Sequence, residues 1–372
     1  MVPSAGQPAY LSGMQNRDLA LISRVLVLIG CCVASAAPAF AQDLLADAPR
    51  RLYLQATRDP AGEQCRRVDN FDPSSLAAVA LRRTFNDDFN EHPLAHGRWV
   101  PHYSGGAAWP EAQYWGGTGS QLKRQTKSNG EQQIYVDPHY AGSAKKPLGL
   151  DPFRVRNGVL SIVASRTPPE LKDALFGNAY ISGIMTTQGW FSQKYGYFEI
   201  RAKIPVGTGV WPAFWMLADN GGWPPEIDVL EGRGQRPGDL VMTTHWRIPT
   251  TQKIESCGFD FLLADASMAF HDYGMLWLQD RLVYFIDRKP VSDIKVPVGY
   301  GDPMYMIVNL AMGSKWFGGV GVVDGESPQM VEFQIDRISA YQINPYRPFQ
   351  QYKPQPGATP IKTNFSGGAD DR

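Results

Sequence analysis

Three carboxylates lie within six residues of the chain, at Glu226, Asp228 and Glu231. The pair Pro224-Pro225 comes directly before them and forbids a helix interior, so we predict a strand here. Neighbouring carboxyl groups that differ in protonation can divide the roles of nucleophile and acid between them. These three residues are therefore the first candidates for catalytic chemistry.

The spacing of the acids requires an irregular strand. Alternate residues share a face, so Glu226 and Asp228 point the same way while Glu231 should point to the other side. One extra residue, a β-bulge at Val229 or Leu230, would return Glu231 to the shared face. Ile227 and one of the two bulge candidates would then face the core.

Clustering three carboxylates costs free energy, because like charges repel and at least one pKa must rise. A purely structural sheet gains little from this arrangement. Hydrolysis of a glycosidic bond needs it, because one carboxylate attacks the anomeric carbon while a protonated neighbour donates to the leaving oxygen. A solvated acidic edge strand and a metal site built from the same acids remain as alternatives.

The sequence Glu-Ile-Asp-Val-Leu-Glu at residues 226–231 resembles the bulged active-site signature of glycoside hydrolase family 16, the laminarinase-like endo-β-glucanases. The resemblance extends over roughly residues 85–342, with further motifs in the order of the family. These motifs are residues 195–205, 209–217, 223–224, 270–273, Trp277, 309–313 and 333–342.

The resemblance implies an all-β fold, a jelly-roll β-sandwich of two curved antiparallel sheets with a substrate cleft on the concave face. It also implies that Glu226 is the nucleophile and Glu231 the acid/base, while Asp228 hydrogen-bonds the nucleophile. Family members carry a histidine at the position of His245, near the acid/base, so we expect a supporting role there. A surface or core hydrogen bond is the alternative for a lone histidine.

Sugar rings stack on aromatic side chains, and three tryptophans lie just before the acids. We predict that Trp211, Trp215 and Trp223 bind substrate, with core packing as the alternative. Arg201 lies on the polar face of its predicted strand. It reaches the cleft or forms an ion pair with Glu199, and the sequence does not separate the two.

Many members of the family bind a structural calcium ion on the convex side, with an Asp of the last strand as one ligand. Asp336 matches that position, and Gly158 matches a carbonyl donor. The resemblance implies no cofactor for catalysis. Beyond the signal region the chain has two cysteines, Cys65 and Cys257, whose pairing the sequence leaves open.

The chain has 372 residues, a net charge of zero, 37 Gly and 29 Pro. Alternating apolar residues predict strands at 160–164 and 198–204, and a continuous apolar run predicts a buried strand at 304–312. No segment shows the apolar spacing of an amphipathic helix. Many short strands between Gly and Pro turns favour an all-β sandwich. The neutral charge gives no sign of a nucleic-acid partner. The family resemblance implies a polysaccharide partner, and we expect a monomer.

Residues 1–41 resemble a secretory signal, with Arg17 and Arg24 before the apolar run 25–37 and an A-x-A site ending at Ala41. Acylation at Cys31 is the alternative. We expect a lead-in at residues 42–83, the main domain at 84–345 and a disordered tail at 346–372. The signal segment predicts secretion. Without it, the chain has no apolar stretch long enough to span a bilayer.

The predicted activity is that of a secreted, retaining endo-β-glycosidase. Residues 130–137 resemble the bacterial branch that trims succinoglycan-like exopolysaccharides, so β-1,3- and/or β-1,4-linked glucan or such an exopolysaccharide ranks first and galactans second. A non-catalytic carbohydrate-binding jelly roll is one alternative, although both glutamates are present. A transglycosylase with the same covalent intermediate is the other.

Overall fold

A computed structural model describes residues 81–103, 124–315, 317 and 320–343 of the chain. Strands dominate this part, and its helical residues are confined to two short 3-10 helices, Lys127–Asn129 and Pro169–Leu171. The all-β prediction is confirmed. The chain divides into two units, Met1–Arg51 and Leu52–Arg372, and every described residue belongs to the second.

The described strands form two sheets, and the larger has ten strands. It contains β1 (Leu81–Asp87), β2 (Gln133–Tyr135), β3 (Phe153–Arg156), β4 (Val159–Arg166), β5 (Tyr180–Ser182), β7 (Gly196–Lys203), β12 (His271–Trp277), β13 (Arg281–Ile286), β14 (Lys289–Lys295) and β16 (Met330–Ile343). The strands run in the order β14-β13-β12-β7-β16-β4-β5-β2, with β1 beside β16 and β3 beside β4.

The smaller sheet has six strands. It contains β6 (Ile184–Thr186), β8 (Val210–Ala218), β9 (Glu226–Gly232), β10 (Asp239–Arg247), β11 (Ile254–Leu262) and β15 (Met304–Met312), in the order β11-β10-β9-β8-β15-β6. The pairings in both sheets are antiparallel as expected, with one exception that the sequence did not suggest. The three-residue strands β2 and β5 run parallel.

Alternating side chains build a single large core between the two sheets. Phe198 and Ile200 of β7 meet Phe214 and Met216 of β8 in this core, and none of the four is accessible to solvent. Full burial of such a side chain contributes about 1.5–3 kcal/mol. The outer face of the smaller sheet carries a separate, smaller cluster that includes Tyr135, Ile307 and Trp215.

The last strand changes phase in its middle, as the sequence predicts. The pairing of β16 with β7 shifts between Ile335 and Arg337, which leaves Asp336 as the extra residue. The bulge keeps Ile335 and Ile338 in the same core although three positions separate them. The middle of this 14-residue strand thereby keeps its apolar side chains in the core, whereas Met330 at its start is exposed.

The first strand begins at Leu81, so the sheet starts three residues inside the predicted lead-in. Residues 42–80, Cys65 and the tail at 346–372 lie outside the described residues, as does the signal segment at 1–41. Cys257 on β11 is disulfide-bonded. In the described part of the chain, none of the helices has the length and apolar character needed to cross a bilayer.

A buried ion pair fixes the loops at one end of the sandwich. Arg124 Nη1 lies 2.6 Å from Asp137 Oδ2, and both side chains are at most 1% exposed. The same guanidinium donates to the carbonyl of Pro101 and lies 4.3 Å from the ring centre of Tyr140. Because these partners come from three loop segments, the pair holds together the wall that carries Tyr103 and Tyr135.

We expect Asp137→Ala to lower the free energy of unfolding by about 3–5 kcal/mol, because it leaves a buried guanidinium without its counter-charge. Urea unfolding followed by tryptophan fluorescence measures the loss. Asp280→Ala is the matched control, since the Asp280 side chain is 72% exposed and its loss should cost under about 0.5 kcal/mol. Equal stability of the two variants would contradict the structural role assigned to the pair.

Candidate active site

The centre of the outer face of the six-stranded sheet is the bulged strand β9. Asp228 lies opposite Trp215 of β8, and Leu230 lies opposite Phe214, so Val229 between them is the extra residue. The bulge that the sequence predicts is therefore present. The expectation that only one of Val229 and Leu230 faces the core is wrong, because both are fully buried there.

The bulge brings all three acids to one surface. On the other side of β9, the strand β10 pairs Glu231 with Val241, Asp228 with Thr243 and Glu226 with His245. His245 therefore stands beside the acids on the same face, as the family resemblance implies.

Glu226 is held by the loop that precedes its strand. The indole Nε1 of Trp223 donates to Glu226 Oε2 at 2.6 Å, and the other oxygen, Oε1, lies 4.0 Å from His245 Nε2. Arg247 fixes this loop by donating from Nη2 to the carbonyl oxygen of Trp223 at 3.0 Å. The Trp223 side chain remains 50% exposed, so its ring borders the open side of the site.

Asp228 occupies the middle of the cluster and is only 3% exposed. Its Oδ2 lies 3.2 Å from His245 Nε2. The ligand atoms of Glu226, Asp228 and His245 all lie within 4.8 Å of one another, which is the spacing of a possible metal site. No group in the described part of the chain other than this one has three such ligands together.

Glu231 is held from the opposite side. Trp211 Nε1 donates to Glu231 Oε1 at 3.0 Å, and the Trp211 ring stacks on Phe317 with centroids 5.1 Å apart. Arg233 lies 4.8 Å from the Phe317 ring centre and is tied to Asp260 by a 2.8 Å ion pair. The two outer glutamates are therefore each oriented by an indole N–H.

A polar and aromatic chain extends the site beside Asp228. Trp215 Nε1 donates to Asn309 Oδ1 at 2.7 Å, and Asn309 Nδ2 donates to the hydroxyl of Tyr135 at 2.9 Å. The ring of Tyr103 lies edge-on to Trp215 and Tyr135. Sequence reasoning missed Tyr103, Tyr135 and Asn309. The motif at 309–313 was recognised, but nothing in it indicates which strand faces Trp215.

Two further residues were missed because they act on backbone or through other side chains. The hydroxyl of Tyr300 lies 2.8 Å from the carbonyl oxygen of Glu226 and 2.9 Å from that of His245, so it fixes both strands at the site.

The second of these residues is Glu131, close to Tyr135 in sequence. Burial raises the pKa of Glu131 to about 7. Glu131 accepts hydrogen bonds from Thr126 N and Gln133 Nε2.

Burial is the main reason that the three acids hold protons more tightly than free carboxyl groups. It raises the pKa of Glu226 and of Asp228 well above their ordinary values, and the charge of Asp228 raises that of Glu226 further. Burial, together with the charge of Glu226, raises the pKa of Glu231 to about 7. The cluster can therefore present an ionised and a protonated carboxyl group side by side near neutral pH.

Arg201 does not belong to this site. It lies on β7 of the other sheet, where it forms ion pairs of 3.3 Å with both Asp272 and Asp336. The prediction that Arg201 reaches the cleft is wrong, because β7 and β9 are in different sheets. The alternative pairing with Glu199 is also wrong, since Arg288 and Arg337 hold Glu199 instead.

The candidate calcium ligands do not form a suitable site. Asp336 Oδ2 lies 3.3 Å from Arg201 Nε and 3.5 Å from Arg337 Nη1, so two cations already surround this carboxylate. Gly158 lies in a turn with a φ of +71°, near Asn90 and Asp88. A calcium ion needs several converging oxygen ligands, and the positive charge around Asp336 does not fit one.

More than half of the sequence matches a known family. A model of the family described as Glycosyl hydrolases family 16 matches residues 154–356, a range that includes the three acids. The endo-1,3-1,4-beta-glycanase ExsH of Rhizobium meliloti is 38% identical over 273 residues, which make up 73% of this chain and 54% of that protein. A second protein of that organism, the endo-1,3-1,4-beta-glycanase EglC, is 36% identical with the same two shares. The chain spans about half the length of these curated relatives.

The fold is also similar to that of solved structures. The laminarinase catalytic domain from Thermotoga maritima has a TM-score of 0.55 and 26% identity, and the match covers 70% of this chain and 98% of that structure. The two-sheet sandwich, the bulged acidic strand and the family match, which spans more than half of the sequence, all agree. This chain belongs to glycosyl hydrolases family 16.

Proposed function

We propose that this chain is a retaining endo-β-glycosidase that hydrolyses internal bonds of a β-linked glucan. The observation that carries the proposal is the bulge at Val229, which sets Glu226 and Glu231 on one surface with Asp228 between them. Retaining enzymes need two carboxyl groups on opposite sides of the bond that breaks. The reaction uses only the chain's own side chains and requires no cofactor.

In the first step, Glu226 attacks the anomeric carbon while Glu231 gives its proton to the leaving glycosidic oxygen. A covalent glycosyl-enzyme forms, and the leaving part of the polymer departs with the proton. In the second step, Glu231 takes a proton from water, which displaces Glu226 and releases the sugar with its original configuration. The N–H of Trp223 stabilises the Glu226 anion, and burial keeps Glu231 protonated near neutral pH.

Asp228 and His245 support this chemistry. The negative charge of Asp228 raises the proton affinity of its neighbours, and its hydrogen bond to Glu226 orients the attacking group. His245 lies 3.2 Å from Asp228, on the strand next to β9. Its proximity lowers the pKa of Glu226 and of Glu231, which opposes part of the rise caused by burial.

The substrate proposed is a β-glucan with 1,3 and/or 1,4 linkages, or a succinoglycan-like exopolysaccharide. The names of the two Rhizobium relatives support a mixed-linkage substrate. Trp223 is half exposed and Trp215 partly exposed, so both can contact sugars, whereas one face of Trp211 is covered by Phe317. Incubation with a panel of glucans, galactans and bacterial exopolysaccharides, followed by product analysis, tests the assignment. Products with transferred sugars would instead favour a transglycosylase.

We also propose export, with removal of the signal segment between Ala41 and Gln42. N-terminal sequencing or the intact mass of the exported protein should show a chain that begins at Gln42. A chain acylated at Cys31 would contradict this and indicate a lipoprotein. The composition of residues 25–41, an apolar run followed by small residues, supports the cleavage.

Glu226→Ala should lower kcat on the polymer by at least about 10³-fold, because the covalent step loses its nucleophile. On an activated aryl glycoside, azide should restore turnover and give a product of inverted configuration. Glu231→Ala should lose about 10²–10⁴-fold on the polymer but far less on the activated substrate, which needs no acid. Azide should then give a product of retained configuration.

Glu332→Ala is the control for these variants, because Glu332 lies on β16 of the other sheet and pairs with Arg154. Its activity should equal that of the unmodified chain. Near-full activity of Glu226→Ala or Glu231→Ala on the polymer would end the proposed assignment of roles.

The dependence of kcat/KM on pH should be bell-shaped. Glu226 must be ionised, so its raised pKa places the acidic limb above the ordinary glutamate value, and Glu231 must be protonated, so activity should fall above about pH 7. Asp228→Asn removes a negative charge that raises the pKa of its neighbours, so both limbs should move to lower pH. Unmoved limbs in this variant would mean that Asp228 is not coupled to the two glutamates.

A further inference from the structure

The acidic cluster contains three donor atoms that face one another and that the two indoles do not use. Trp223 donates to Oε2 of Glu226, and Oε1 of the same side chain lies 4.0 Å from His245 Nε2. Asp228 Oδ2 lies 3.2 Å from the same nitrogen. This oxygen is buried and accepts no hydrogen bond from any described residue. Burying an unpaired carboxylate oxygen costs free energy, and a cation beside it would lower that cost.

We propose that these three atoms bind a zinc ion. Zinc takes imidazole nitrogen and carboxylate oxygen at about 2.0–2.2 Å, which separates tetrahedral ligands by about 3.4 Å. The three donors already lie within 4.8 Å of one another, and a bound ion would draw them closer together. Water fills the fourth position on the open side of the face.

The donor set selects a transition metal over calcium or magnesium. Imidazole suits zinc and its neighbours in the first transition series, whereas calcium and magnesium prefer oxygen ligands and higher coordination numbers. One nitrogen and two carboxylates also neutralise a divalent ion. The cluster then loses the repulsion between its own acids, which favours binding.

Other histidines of the chain show why this one is suited to a metal. Nε2 of His245 faces two carboxylates at once, at 3.2 and 4.0 Å. His271 also contacts two carboxylates, Asp265 and Asp287, but through opposite ring nitrogens, so these ligands do not converge on one point. His92 and His96 are each paired with one carboxylate.

Binding of zinc does not depend on the proposed reaction, but its consequence rests on the proposed function. An ion held by Glu226 Oε1 occupies the proposed nucleophile and blocks its attack on a sugar. The glycosidase would then be reversibly inhibited by zinc and restored by a chelator. Free zinc would act as a regulator of the same surface that binds the polysaccharide.

Equilibrium dialysis of the purified full-length chain against Zn²⁺ tests binding without reference to activity. We expect a tightest site of one ion per chain, and His245→Gln should weaken it by at least about 10-fold, because it removes a direct ligand. Asp228→Asn provides a second variant with a similar loss. His271→Gln is the matched control and should leave the affinity unchanged. Co²⁺ as a probe should give visible absorption of a four-coordinate site that disappears in His245→Gln.

Equal zinc affinity in His245→Gln, Asp228→Asn and the unmodified chain would overturn the proposal, as would the absence of binding in the unmodified chain. Activity assays separate zinc binding from the proposed inhibition of catalysis. Zinc binding without inhibition on the true substrate would leave the metal site intact and contradict the proposed role of Glu226. Inhibition that persists in His245→Gln at unchanged zinc concentration would place the ion elsewhere and overturn the site.

Discussion

The main physical constraint on this structure is the free-energy cost of holding three carboxyl groups together on one strand. Like charges repel and are normally kept apart or solvated, but the bulge at Val229 places Glu226, Asp228 and Glu231 on one surface. The surrounding features offset this cost. Indole N–H groups hold the outer two acids, His245 stands against the central one, and the sheet between them and the core is rigid. The cost that these contacts do not offset is seen in the raised pKa values of Glu226 and Glu231.

The rest of the sandwich supplies that rigidity. Both residues of the bulge point into the core, so the irregular strand is anchored by packing rather than left as a loop. Tyr300 contacts the backbone carbonyls of two neighbouring strands directly beneath the acids. The loop wall at the side is fixed by the ion pair between Arg124 and Asp137. A site that must keep like charges at fixed distances needs this kind of support, because repulsion would otherwise spread them.

Much of this could be predicted from sequence because the relevant signals are local. The two prolines, the spacing of the acids and the phase change near Asp336 each follow from strand geometry alone. Arg201 was misplaced because alternation tells which face of a strand a residue occupies, but not which sheet the strand joins. Tyr103, Asn309 and Tyr300 were missed for a similar reason. Trp215 is 112 residues from Tyr103 and 94 from Asn309, and Glu226 is 74 residues from Tyr300, so only the order of strands brings them together.

The short connection between Trp223 and Glu226 has a consequence for how substrates are distinguished. The indole that we propose to stack on a sugar is half exposed, and it also donates its N–H to the carboxylate three residues later. A sugar that turns this ring must lengthen that hydrogen bond, and the pKa of Glu226 then rises because an interaction that lowers it is weakened. The fit of the sugar and the ionisation of Glu226 would therefore both depend on the position of the Trp223 ring. In the proposed mechanism, a poorly fitting polymer would leave Glu226 less ionised and would also dissociate sooner.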